Sequence, residues 1–331
     1  MDGRKIKRLV LTGPTGAVGT AIIKKCIENK IQVTAITRKD SKRNNHIPLS
    51  PYVRVYYSDI DKYDDIDRDN ILPGREENFD AFIHLAWKGT IGDGRNQVDL
   101  QMENIKYTVS AVRLAKRLGC QIFMGAGSQA EYGRVEGYLK ANTPVFPENG
   151  YGIGKLCAGQ MSRLLCSQLK MEHIWLRILS VYGPNDGEQT MVSTAIKKFL
   201  SGEHTAFTPG EQQWDYLYSE DAAEIILKLV QFGKSGKTYC VGSGQKRMLK
   251  EYIHDIYYAV RKEDLTDRKL GIGEVPYNKN QVMFLCADIS ELEEDVGKLQ
   301  ITPFKEGIGK TVEWYKKNIY NNIVNKNDKK C

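Results

Sequence analysis

Through the first ~180 residues, short runs of β-branched and aliphatic side chains alternate with longer stretches in which apolar positions return every three or four residues. That alternation predicts βαβ units and a parallel sheet. Strands are expected at Arg8–Leu11, Gln32–Thr37, Val53–Tyr57, Ala81–Leu85, Gln121–Gly125 and His173–Ile178. Between the first two, Val18, Ile22, Ile23, Cys26 and Ile27 share one face of a helix over Ala17–Asn29, and Ile105–Leu118 and Lys155–Leu169 repeat the habit. The fold class is therefore α/β, a doubly wound parallel sheet over residues 1–181. Beyond Val181 the pattern is less regular, with helices expected at Met191–Leu200, Asp221–Phe232, Leu249–Val260 and Gly307–Asn318, and strands at Trp214–Tyr218 and Thr238–Val241. Residues 182–213 and 246–320 are expected to form a smaller mixed lobe, with the segments near 214–245 packed on the first domain and 321–331 a polar tail.

Composition narrows the class. The 331 residues are 41% hydrophobic and 27% charged, ordinary for a folded globular chain. No window approaches the roughly 18 consecutive apolar residues of a membrane span, and the opening residues run from charges through a short apolar stretch into glycines. A cytoplasmic protein without membrane contact is expected. The net charge of +7 is partly terminal, from Arg4, Lys5, Lys7, Arg8, Lys326, Lys329 and Lys330. Without an Arg-rich stripe, such a balance suits anionic small molecules rather than nucleic acid. The seven cysteines are scattered, with no C-x-x-C pair, and read as reduced thiols. No metal site is expected: the acidic segment Asp59–Asp69 lacks calcium-loop spacing and reads as a solvated loop.

Three local signals carry chemistry. In Thr12-Gly13-Pro14-Thr15-Gly16-Ala17-Val18-Gly19, between strand and helix, Gly13, Gly16 and Gly19 let the turn close, let backbone N–H groups approach a pyrophosphate, and let the helix pack on the sheet. Tyr151 and Lys155, four apart at a helix start, put a phenol and an ammonium on one face, where the cation can lower the phenol's pKa. Ser128 lies 23 positions before Tyr151 where a fifth strand ends, the end that faces the ligand crevice of a parallel sheet.

The glycines, His84-Leu85-Ala86 after a strand, Asn104, Ser128, Tyr132-Gly133, Tyr151/Lys155, and Leu176-Arg177 leading to Val181-Tyr182-Gly183-Pro184 occur in this order. Together with Trp214-Asp215-Tyr216 and Val312-Glu313-Trp314-Tyr315 they resemble, over essentially the whole chain, the extended short-chain dehydrogenase/reductase family, the epimerase/dehydratase group acting on nucleotide sugars. The resemblance implies a Rossmann-type sheet, a C-terminal substrate lobe, a homodimer and hydride transfer between a nicotinamide and a sugar carbon. Tyr151 is then the acid–base, Lys155 lowers its pKa and holds the nicotinamide ribose, and Ser128 bonds the reacting oxygen. Cofactor contacts are expected from Gly13, Thr15, Gly16, Ala17, Val18, Gly19, Arg38, Asp59, Ile60, Leu85, Ala86, Trp87, Asn104, Tyr151 and Lys155, with Asn104 more a structural or water-holding group than a catalytic one. Substrate contacts are expected from Trp87, Gln129, Glu131, Ser180, Trp214 and Arg247.

Departures from the family pattern refine this. NAD-preferring members end the second strand on an acidic residue, whereas Thr37-Arg38 stands here, favouring NADP over NAD. Gln129-Ala130 replaces the Asp-Glu pair of dehydratases, which argues against dehydration, and Ala130 stands where members that epimerise beside the ketone carry Cys. Trp214 replaces the Arg expected on the substrate diphosphate, a role left to Lys246, Arg247 or Arg268. The expected activity is NADPH-dependent reduction of a nucleotide-linked 4-keto-6-deoxy sugar at C4. A nucleotide-sugar 4-epimerase is the first alternative and a non-catalytic NADP sensor the second, disfavoured by the intact Ser128, Tyr151 and Lys155.

Overall fold

The computed structural model describes residues 3–72 and 78–327. The chain runs β1 (Arg8–Thr12), α1 (Ala17–Glu28), β2 (Gln32–Thr37), β3 (Val53–Tyr57), α2 (Arg68–Ile71), β4 (Ala81–His84), α3 (Val98–Arg117), β5 (Ile122–Ser128), α4 (Gly150–Gln168) and β6 (Glu172–Ile178). It continues through β7 (Ser180–Tyr182), α5 (Met191–Ser201), β8 (Gln213–Trp214), β9 (Tyr216–Tyr218), α6 (Ser219–Phe232), β10 (Thr238–Val241), β11 (Arg247–Met248), α7 (Leu249–Arg261), β12 (Phe284–Leu285), α8 (Ser290–Val296) and α9 (Phe304–Asn327).

Seven parallel strands form the main sheet in the order β10-β6-β5-β4-β1-β2-β3. The chain winds outward from β1 to β3, then returns to β4 on the other side of β1, so a crevice opens at the carboxyl ends of β1 and β4. Helices on both faces bury the central strands, which explains their unbroken apolar runs. Leu9 and Leu11 point to the layer holding Ile22, Ile23 and Ile226, while Val10 points to the opposite layer with Phe82, Phe123 and Val112. Among the described residues, no helix is long and apolar enough to cross a membrane.

The later chain adds a three-stranded sheet, β11-β8-β12, a two-stranded one, β7-β9, and a separate core of Tyr182, Phe199, Ile253, Ile256, Ile308 and Val312. The strand expected over Trp214–Tyr218 is broken in two at Asp215, and its halves join different sheets. Asp215 is the reason. Fully buried, its carboxylate accepts from Ser243 N (2.8 Å), Ser243 Oγ (2.6 Å), Gly244 N (3.1 Å) and Ala287 N (3.1 Å), binding three distant segments together. Four helices, α3, α4, α6 and α9, also begin earlier than their periodicity suggests. Asn149 caps α4, its Oδ1 accepting from Gly152 N at 2.8 Å, so Tyr151 lies in the first turn.

Candidate active site

The crevice holds a groove of about 490 Å³. Its floor is the glycine turn, Gly13, Pro14, Thr15 and Gly16; Thr37, Arg38, Ser41 and Ser58 form one end, and Leu85, Ala86, Trp87 and Lys88 the other. Gly13 has φ +70°, and a Cβ there would approach Ala86 N to 2.9 Å. Gly19 faces Gly13 O, so a Cβ at 2.3 Å would force α1 off the turn. A Cβ on Gly16, in contrast, meets nothing within 4 Å. Gly16 is also the N-cap of α1 and supplies no side-chain cap, leaving the first-turn amides facing the groove for an anion. These features fit a dinucleotide pyrophosphate.

Of the expected cofactor contacts, Gly13, Thr15, Gly16, Arg38, Ile60, Leu85, Ala86 and Trp87 line the groove. Ala17, Val18 and Gly19 belong to the first turn of α1 behind it, and Asp59 is exposed beside Ile60 outside the lining. Asn104 is fully buried and committed elsewhere: Nδ2 donates to Lys88 O (2.8 Å) and Oδ1 accepts from Lys88 N (2.9 Å). It shapes the loop after β4 and contributes no group to the groove. That loop has a second fastening, since buried neutral His84, its pKa pushed down to about 3 by burial, meets Thr12 Oγ1 at 2.9 Å.

At the inner end the structure gathers Ser128, Tyr151, Lys155 and Trp87. Trp87 meets the Tyr151 ring edge-on at 6.1 Å and is held by Gln101, whose Oε1 accepts its indole N–H at 2.9 Å. Lys155 is buried; its Nζ donates to Ala126 O at 2.6 Å and lies 3.8 Å over the Trp87 ring. Burial pushes its pKa down to about 7. Tyr151 stands above its ordinary range because burial penalises the phenolate, opposed by a hydrogen bond with Ser128 and the charge of Arg95. This corrects the expectation that Lys155 lowers the phenol: its ammonium is 5.8 Å from the ring centroid and turned to Ala126 and Trp87, while Arg95 lies at 4.4 Å. Arg95, in the short helical turn Gly92–Asn96, and its neighbour Gln101 escaped the sequence reading because no motif or periodicity surrounds them.

Beside this cluster, Arg95, Gln129, Asn149, Asn280, Val282 and Phe284 help line a cavity of about 280 Å³. Gln129, expected to touch substrate, therefore faces open space, and its Oε1 accepts from Ser128 Oγ at 3.1 Å. Glu131 does not. Fully buried, it accepts from Ser128 N (2.8 Å), Trp175 Nε1 (3.0 Å) and Arg177 Nε (2.8 Å), so the expected substrate contact is instead a buttress for the Ser128 backbone. Ser180 and Trp214 bond each other, Nε1 to Oγ at 2.9 Å, and Arg247 is committed to Asp255 at 2.7 Å. Lys246 stacks on Phe284 at 4.8 Å.

A model of the NAD dependent epimerase/dehydratase family matches residues 9–242. The dTDP-4-dehydro-6-deoxyglucose reductase of Escherichia coli is 24% identical over 323 residues, spanning 95% of this chain and 98% of the relative. The UDP-N-acetylglucosamine 4-epimerase of Methanobrevibacter ruminantium, solved with UDP-N-acetylmuramic acid, superposes with a TM-score of 0.82 at 21% identity, over 95% of this chain and 100% of that one. A dTDP-glucose 4,6-dehydratase of Bacillus anthracis, solved with NAD, gives 0.78 at 15% identity, over 94% and 97%. Since the family match runs from the first strand of the large sheet to its last, the chain belongs to the NAD dependent epimerase/dehydratase family and is an enzyme of it.

Proposed function

We propose that the protein is an NADPH-dependent reductase of a nucleotide-linked 4-keto-6-deoxy sugar, with NAD as the alternative cofactor. The observation that carries the cofactor preference is the outer end of the groove, where Arg38 and Ser41 follow Thr37 and no carboxylate among the described residues lines the wall. A 2′-phosphate there gains charge-assisted hydrogen bonds of about 1.5–3 kcal/mol. Bound in this groove, the dinucleotide supplies the hydride. Ser128 turns its hydroxyl from Gln129 to the sugar carbonyl oxygen, and Tyr151 gives that oxygen its phenolic proton as C4 is reduced. Lys155 holds the nicotinamide ribose, and Trp87 walls the same end. Gln129 and Ala130 offer no acid–base pair for removing water. A homodimer is part of this reading, supported by the exposed Val98 and Met102 on α3 and Ile153, Met161 and Leu164 on α4.

A 4-epimerase uses the same three residues, and the likeness to the Methanobrevibacter ruminantium enzyme keeps it as the second reading. The two differ in what they ask of the dinucleotide, which an epimerase keeps and a reductase exchanges each turnover. The test denatures the purified protein, quantifies released dinucleotide, and assays a dTDP-linked 4-keto-6-deoxy sugar and UDP-glucose. A largely empty protein that consumes NADPH with the keto sugar, with Arg38→Ala narrowing the NADPH preference, is expected. Stoichiometric NAD with interconversion of 4-epimeric sugars and no NADPH loss makes it an epimerase.

A further inference from the structure

The inner end of the site contains a cation that the Ser128–Tyr151–Lys155 set does not include. Arg95 lies 4.4 Å over the Tyr151 ring. Its guanidinium donates to Thr90 O at 3.1 Å, and the described residues give it no carboxylate partner. The turn that carries it is pinned both to the helix that carries Tyr151 and to α3. Asn96 Oδ1 accepts from Gly150 N at 3.1 Å, Gln101 Nε2 donates to Gly94 O at 2.7 Å, and a Cβ at Gly150 would come within 2.9 Å of Arg95 O. Arg95 thus approaches the ring on a rigid support, in a half-buried setting where charge is poorly screened.

We propose that Arg95 is a positioning residue of the reaction: it holds the Tyr151 ring and stabilises the negative charge the phenol acquires when it releases its proton. The proposal rests on the reading of Tyr151 as the acid–base. Among the described residues, other groups also act on that ring. Lys155, on the same helix, is turned toward Ala126 O and Trp87; Ser128 favours the ionised phenol; Trp87 meets the ring edge-on; and Glu131, the nearby carboxylate, opposes the phenolate. Arg95, at 4.4 Å against 5.8 Å for Lys155, is the nearer of these two cations to the aromatic face, where a ring with a phenolate oxygen attracts it more than a neutral phenol does.

The experiment measures kcat/KM for NADPH-dependent reduction against pH in the parent protein, Arg95→Gln and Arg95→Lys. As the proton donor, Tyr151 loses activity when it ionises, so the alkaline limb reports it. Removing a cation within 4–6 Å is expected to move that limb up by about one pH unit in Arg95→Gln, and Arg95→Lys to restore most of the shift. Tyrosinate absorbance supplies a readout that needs no substrate: subtracting the Tyr151→Phe counterpart of each protein isolates one tyrosine. At matched alkaline pH the Arg95→Gln protein should show less Tyr151 phenolate. Coincident limbs or equal phenolate fractions overturn the proposal. Normal turnover in Tyr151→Phe overturns the acid–base reading instead, and the absorbance comparison still judges Arg95.

Discussion

Burying an amine that bonds a carbonyl rather than a carboxylate has a cost that varies with pH, and Lys155 carries one. Its folded pKa is pushed down to about 7 while the unfolded side chain keeps 10.5. Between these values the unfolded chain binds more protons, so folding stability rises with pH across that window. With no dinucleotide added, the melting temperature of the parent protein should gain on that of Lys155→Met from pH 7 to pH 9; parallel curves would show a lysine that stays charged. Ser128 makes a separate point, since its Oγ both faces Gln129 and caps Ala130 N at 3.2 Å. Ser128→Ala is expected to cost about 10²-fold in kcat, as for loss of one oxyanion donor, and about 1 kcal/mol in stability from the lost cap. Steady-state kinetics and denaturant unfolding on the same preparation separate the two losses, and unchanged kcat removes Ser128 from the chemistry.

The turn between β1 and α1 shows how two glycines with the same sequence signal do different work. Gly16→Ala places a methyl in open groove and leaves the fold untouched, whereas Gly19→Ala drives one into Gly13 O. The expected outcome is weakened dinucleotide binding with an unchanged melt for Gly16→Ala, and a loss of roughly 1–3 kcal/mol for Gly19→Ala. Equal binding in Gly16→Ala would mean that the pyrophosphate does not cross this turn. That signal was readable from the chain because spacing, a strand before and a helix after all coincide. Elsewhere the elements were too short or too local to read. α8 has seven residues, and β8, β11 and β12 two each, below the length at which alternation shows. Glu131 looked like a polar group beside Ser128, and only the return of Trp175 and Arg177 from β6 reveals that it is spent inside. Arg95 meets Tyr151 across 56 positions of chain, which no local pattern records.

At the scale of the molecule, the Asp215 carboxylate bears on how the C-terminal part is attached. The end of β12 and the residues just after it are tied back independently of the segment that leads to them: Ala287 and Cys286 converge on Asp215, β12 pairs with β8, and Leu139 bridges to Ala287. The stretch 273–280, by contrast, is mostly exposed and carries no helix or strand. Cleavage there severs the backbone without breaking any of those ties. The protein should therefore behave as two complementing fragments: a nicked sample runs as two bands on a denaturing gel yet elutes as one species on a sizing column. Residues 1–275 and 276–331, produced separately and mixed, should assemble into an active enzyme, and Asp215→Asn, which sets an amide N–H₂ against backbone donors, should loosen the pair. A molecule whose last fifty-odd residues can be supplied by a separate polypeptide would turn on only when both pieces are present.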